Sequence, residues 1–299
     1  MFEELFQSPE QEIEAINNAK LRLRRGRDVN ILKLYPHQEE LIRSIYENKC
    51  TVVMKTRQAG YTTAYLVHLV MLLYKCYTSG NRKMYEECNF VIVSPNGMMA
   101  RWNEDFIKDI IYQVGDKEFL QTAPKHFKFI RTLATPDSLR GYPHREITEL
   151  YFDEYEFFAN RPDAIHFDPF IIDRVVGITS KNRGKEQNTV EMLNDFIEDV
   201  GNGDVNVMIT PWYACSQFNK NLKWARGDEI IDELTIDREG NIKYRPFRWL
   251  NKILDGWVPF NKWRNDMIRA GLKKEEFLDF IVFPYERHEQ NLPKFDSWS

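Results

Sequence analysis

Short apolar runs separated by longer stretches of helical period constrain this chain more than any other feature. Runs rich in β-branched and aromatic residues fall at 51–54, 89–94, 127–133, 149–152 and 205–209, each bounded by turn-forming residues. Between several of them lie stretches of helical period, such as 62–77 and 98–114. Apolar strands alternating with helices imply βαβ units, because a strand that is apolar throughout must be covered on both faces. The expectation is an α/β fold with a mostly parallel central sheet flanked by helices. Right-handed crossovers then align the C-terminal strand ends along one edge, where ligands bind in such sheets.

The chain supplies the material for that core: 43% of its 299 residues are apolar and 14% are aromatic. Its 41 basic and 45 acidic residues leave a net charge of −4, which disfavours a basic nucleic-acid coat protein while allowing a local basic patch. Cys50, Cys76, Cys88 and Cys215 form no CxxC pair, a pattern that suits a reducing compartment better than a zinc site or a disulfide framework. The six histidines show no metal-ligand spacing. The first residues are acidic and lack a signal-peptide core, and the apolar stretch 64–73 is too short to span a bilayer. A soluble cytoplasmic protein is expected.

Three regions are expected. Residues 1–30 read as a charged N-terminal helical arm, residues 31–220 as the α/β core, and residues 221–299 as a small C-terminal subdomain. The arm carries a basic run at 22–27, read as a solvated face or as a DNA- or subunit-contacting one. In the last region, 234–246 alternates around Glu239-Gly240-Asn241 as a hairpin would, and 260–282 has helical period.

The chemistry concentrates in the stretch TVVMKTRQAGYTT at 51–63. An apolar strand runs through Lys55, Thr56, Arg57, Gln58, Ala59 and Gly60 into a helix opened by Tyr61, Thr62 and Thr63. Strand, glycine-bearing loop and helix N-terminus together form a phosphate cradle, because the first helical N–H groups point at a bound anion. The common form GxxxxGK[ST] places a lysine where this chain has Tyr61. Lys55 stands instead at the first position of the motif, from which its side chain can reach back over the loop. Arg57 is a second candidate cation, and the residues leave open which of the two is principal. Thr62 suits Mg²⁺ through its hydroxyl.

A second element agrees with the first. The run 149–152 ends in Asp153 and Glu154, the form of a strand that holds a metal through one carboxylate and activates water through the next. Together they indicate a P-loop NTPase of the ASCE type.

These residues resemble the ATPase domain of the large terminase subunit of tailed bacteriophages, over roughly residues 31–285. The loop TRQAGYTT is similar to that family's R-Q-x-G-x-T-T form, in which some members carry the lysine at the start of the motif. The segment LYPHQ at 34–38 resembles the adenine-reading segment, and the resemblance gives Gln38 that role. The segment SLRG at 138–141 resembles the family's S-x-R-G, which makes Arg140 a candidate arginine finger for a neighbouring subunit. MITP at 208–211 is similar to the coupling motif and assigns Thr210 to sensing the γ-phosphate, with Ile209 where a second threonine is common. GLKKEEFL from Gly271 resembles the helix that often closes the ATPase region.

The resemblance implies an ATP hydrolase with Glu154, Arg140 and Arg57 as catalytic groups, Thr62 and Asp153 on Mg²⁺, and residues 55–63 with Gln38 around ATP. It implies double-stranded DNA, a portal protein and procapsid, and a small terminase subunit as partners. The chain would be monomeric in isolation, assemble into a homo-oligomeric ring (a pentamer is expected) and work in the cytoplasm of an infected bacterial host, with no membrane partner. The family's nuclease domain is expected to be absent. Arg22, Arg24, Arg25, Lys181, Arg183 and Lys185 are candidate DNA contacts, although 181–185 reads more readily as a solvated loop. Two other readings stand beside this one: a helicase-like DNA translocase, and a non-hydrolysing assembly protein that keeps the fold to dock on a portal or capsid.

Overall fold

The computed structural model describes residues 5–6, 8–25, 28–56, 58–131, 147–154, 172–180, 205–233, 242, 248–249, 252 and 255–271. In chain order the elements are α1 (Pro9–Asn18), β1 (Arg22–Arg25), β2 (Asp28–Ile31), α2 (Pro36–Glu47) and β3 (Cys50–Lys55). There follow α3 (Tyr61–Thr78), α4 (Arg82–Glu87), β4 (Phe90–Ser94), α5 (Gly97–Val114), α6 (Lys117–Thr122), β5 (Phe127–Arg131) and β6 (Ile147–Asp153). The remainder are β7 (Ile172–Ser180), β8 (Val205–Thr210), β9 (Lys223–Arg226), β10 (Glu229–Asp232), β11 (Val258–Phe260) and α7 (Lys262–Arg269).

The protein is α/β, built on a six-stranded sheet of order β5-β4-β6-β7-β3-β8 in which every described pairing is parallel. Strands β4 and β6 are buried along their whole length, which is why their central residues 90–93 and 150–152 are apolar runs rather than alternations. Registers Lys55↔Ser180, Lys55↔Thr210 and Asp153↔Ile178 bring the strand ends to one level. The edge expected to hold a ligand therefore carries Lys55, Thr210 and Asp153 side by side. Helix α3 is buried on nearly every side and packs against α1, α2, α4 and α5, so it anchors the loop that precedes it. All four cysteines are buried and free.

Two regions differ from expectation. Strand β7 lies between β3 and β6, and Asp173, Arg174 and Gly177 interrupt the apolar run that would have announced it. The N-terminal segment is not a solvated helical arm. Helix α1, capped by Ser8, buries Glu12, Ile13 and Ile16 against the core, and the chain then turns into the β1–β2 hairpin. The side chain of Gln113 at the end of α5 clamps that hairpin: its Oε1 accepts from the Arg22 N–H at 2.7 Å, and its Nε2 donates to the Arg22 carbonyl at 3.1 Å.

A second, aromatic core starts just past β8. Trp212, Tyr213, Leu222, Trp224, Trp249 and Trp257 pack together beside the antiparallel sheet β10-β9-β11. The hairpin expected at 234–246, the closing helix from Gly271 and the basic run 181–185 lie outside the described residues apart from Ile242 and Gly271 themselves. No helix among the described residues is long and apolar enough to cross a membrane.

Candidate functional site

The loop between β3 and α3 requires glycine at one point. Gly60 has φ +79°, and a Cβ there would come within 2.5 Å of Gln38 Nε2. That approach is used: Gln38 Nε2 donates to the Ala59 and Gly60 carbonyls at 3.2 and 3.0 Å, while its Oε1 accepts from the Tyr35 N–H at 2.9 Å. Gln38 thus caps α2 and ties it to the loop with the same amide assigned by resemblance to an adenine edge. Reading adenine would require it to exchange those bonds.

His37 adds a bond from its Nε2–H to the Ala59 carbonyl at 2.9 Å. Burial lowers its pKa to about 4, so the ring is neutral and its Nδ1 is an acceptor with no partner among the described residues. Gln217 Nε2 reaches the Gln58 carbonyl at 3.1 Å, and Gln58 itself sits at φ +61°.

Tyr61 occupies the usual lysine position and is a core residue. It is fully buried, its hydroxyl lies 2.6 Å from Thr210 Oγ1, and its ring meets His37 edge-on at 5.3 Å. The Thr56 N–H donates to the Thr210 carbonyl at 2.9 Å, so loop and β8 are joined twice. The cation comes from Lys55, whose Nζ is 2.8 Å from Glu154 Oε1 across 99 residues of sequence. Both groups are largely shielded from solvent, and Glu154 is held at φ +51°. A non-glycine residue in that region stores strain, which a site retains only where the surroundings enforce it.

Beside this pair, Thr62 donates to Asp153 Oδ1 at 3.0 Å, and Tyr151 donates to the same oxygen at 2.8 Å. Asn103 donates to Asp153 Oδ2 at 2.9 Å. Burial raises the Asp153 pKa, and the hydrogen bonds from Asn103, Tyr151 and Thr62 work against that rise. Thr63 follows on the first turn of α3, half-buried.

The pattern continues inward. Glu149, Tyr151 and Asp153 share one face of β6 by the two-residue period of a strand. They meet Thr62, Tyr65 and His68, spaced three apart along α3. Tyr65 donates to Glu149 Oε2 at 2.5 Å and packs on Tyr151, with ring centroids 4.5 Å apart. His68 Nε2 bonds Glu149 Oε1 at 3.2 Å, and its Nδ1 bonds Glu12 on α1. Burial opposes charge on His68, but the carboxylates of Glu12 and Glu149 prevail and raise its pKa to about 10. A polar ladder therefore runs from the sheet edge to the N-terminal helix.

No cluster of three or more His, Cys, Asp or Glu suited to a metal exists among the described residues. The hydroxyl of Thr62 and the carboxylate of Asp153 form instead a hard-oxygen pair. Such a pair suits Mg²⁺, which takes most of its ligands from water and substrate phosphates. Asn103 Oδ1, buried beside Asp153 and without a partner among the described residues, is a spare acceptor of the kind a hydrated cation can use.

The loop from Lys55 to Thr63 (less Arg57), Gln38, Asp153, Glu154 and Thr210 gather at one place. Arg57 and Arg140 lie outside the described residues. Asn103 and Gln217, which reach the site from α5 and from the turn after β8, carry no signal in the sequence. Tyr151 was legible in principle, being two residues before Asp153 on a strand. Among known proteins, no family model and no curated sequence matches this chain.

Proposed function

We propose that this chain is a Mg²⁺-dependent P-loop ATPase of the ASCE type, acting as a viral terminase motor that drives double-stranded DNA into a procapsid. The observation that carries the reading is the convergence of two distant segments: Lys55 meets Glu154, and Thr62 meets Asp153, at the C-terminal edge of a parallel sheet. The strand order, in which β7 separates loop-bearing β3 from acid-bearing β6, supports the same class.

Most of the catalysis in phosphoryl transfer is positioning and charge stabilisation. The N–H groups at the start of α3 face the phosphates, and Lys55 exchanges its contact with Glu154 for the phosphate oxygens. That exchange releases Glu154 to orient the attacking water and take its proton. Mg²⁺, held by Thr62 and Asp153, would neutralise charge on the phosphates. Thr210, bonded to Tyr61 at the mouth of the loop, links phosphate occupancy to β8 and to the aromatic core that follows it. Arg57 would add a second cation, and Arg140 would complete a neighbouring subunit's site in a ring. Portal, procapsid, small terminase subunit and DNA are the partners of that motor.

ATP hydrolysis measured against protein concentration, with Mg²⁺ or EDTA, tests the reading. Turnover per subunit should rise with concentration and vanish in Glu154→Ala and Arg140→Ala. ATP binding without turnover at any concentration, with DNA and portal present, would replace the motor by a docking protein of the same fold.

A further inference from the structure

Asn103 belongs to no motif of the loop or of the acidic strand, yet its side chain ends beside Asp153. It is completely buried, and α5 brings it there from the crossover after β4. One amide hydrogen goes to Asp153 Oδ2 at 2.9 Å and the other to Ser94 Oγ at 3.1 Å. Ser94 ends β4 and is itself fully buried, so the amide is fixed by two bonds, both donated by its Nδ2. Its carbonyl oxygen is as buried as the nitrogen and has no partner among the described residues. A buried amide carbonyl without a donor is rare enough in folded proteins to require an occupant. Leucine, close in volume, would fill the same space without leaving a polar atom unpaired, so burial alone does not explain an asparagine here.

Three donors already serve the Asp153 carboxylate: Thr62 and Tyr151 on Oδ1, and Asn103 on Oδ2. When the Thr62 hydroxyl turns to a cation, the Asn103 bond still fixes the plane of the carboxylate. Mg²⁺ keeps several water molecules when bound by one carboxylate and one hydroxyl, and those waters need acceptors. We infer that Asn103 is an outer-shell positioning residue of the Mg²⁺ site, its Nδ2 orienting Asp153 and its Oδ1 accepting a hydrogen bond from a magnesium-bound water. This assignment rests on the ATPase reading and adds to it a residue that holds the metal's ligand and hydration without touching the metal.

The test is nucleotide binding rather than turnover. A fluorescent, non-hydrolysable ATP analogue is titrated into wild type, Asn103→Ala and Ser94→Ala, in EDTA and across a Mg²⁺ series, and Mn²⁺ affinity is read by electron paramagnetic resonance. Outer-shell changes typically weaken metal affinity about 10- to 100-fold. Asn103→Ala should weaken Mg²⁺ and Mn²⁺ within that range while leaving affinity in EDTA within about twofold of wild type. Ser94→Ala frees one side of the amide and should lose about two- to fivefold in the same direction, which keeps the test alive if the alanine variant does not fold. Unchanged metal affinity in folded variants, or an equal loss with and without metal, overturns the assignment. A wild type that binds no nucleotide in either buffer overturns the ATPase reading itself.

Discussion

Glu149 and Asp153 are two carboxylates on one face of one strand, and their surroundings have opposite character. At the inner end, the carboxylate oxygens of Glu12 and Glu149 and both ring nitrogens of His68 have answering partners. Glu149 accepts from His68 and Tyr65, and His68 also donates to Glu12. Glu12 in turn accepts from the Tyr46 hydroxyl at 2.7 Å. Arg174, over the Tyr46 ring at 5.4 Å, helps hold Glu149 below the usual carboxylate range. At the outer end there remain left-handed backbone at Glu154 and Gln58 and, among the described residues, an orphan oxygen on Asn103 and a lone ring nitrogen on His37. Buried charge that is completely paired fixes a structure, whereas incomplete satisfaction and strain mark the end prepared for something to arrive.

The contrast breaks most sharply at His68. His68→Ala leaves two buried carboxylates facing each other and should cost about 3–5 kcal/mol in denaturant unfolding. A loss below about 1 kcal/mol would mean the inner cluster is not held as charges.

The pH profile sharpens the same point. His68 is protonated in the folded chain up to about pH 10, against an ordinary value of 6.5. Its stabilisation is complete below pH 6.5 and disappears as pH rises through about 10. The Glu149 pKa is lowered from 4.5, so its contribution is present above that pH and is lost on further acidification. Thermal melts should therefore show stability falling between pH 6.5 and 10, and His68→Ala should flatten that fall.

Tyr61→Phe removes the partner of the buried Thr210 hydroxyl and should cost about 1–3 kcal/mol. Tyr61→Lys should be worse, because it buries a charge in a fully enclosed position. If the lysine variant melted like wild type and bound nucleotide more tightly, Tyr61 would belong to the outer end rather than the core.

Glu154→Gln leaves the shielded Lys55 charge with only a neutral hydrogen-bond partner and should cost about 1–2 kcal/mol, while on the ATPase reading it abolishes turnover and spares nucleotide binding. Smallest of all, Gln58→Gly relieves a left-handed residue and should stabilise by about 0.5–1 kcal/mol in the same melts. A loss there instead would show that the Gln58 side chain holds the loop.

Much of this arrangement was legible before folding was considered. The apolar runs located β3, β4, β5, β6 and β8 to within a residue or two, because burial on both faces leaves few other compositions possible. Strand β7 escaped because Arg174 faces a tyrosine and a carboxylate cluster rather than solvent, and because Gly177 offers no side chain to read. Asn103 escaped for a different reason: its role is set by where α5, packed on β4 and β5, meets the end of β6, and nothing near it in sequence reports that meeting.

The sequence by itself determined the parallel α/β architecture and the position of the loop, since both follow from local periodicity and from one glycine at a left-handed turn. Tertiary structure alone decided that Tyr61 is core while Lys55 faces the acids, that Glu12 is pinned to His68, and that Asn103 supports Asp153. Those outcomes depend on desolvation and on distances of about 3 Å between segments far apart in the chain. Periodicity reports which face of an element is covered, but not which atom on another element covers it.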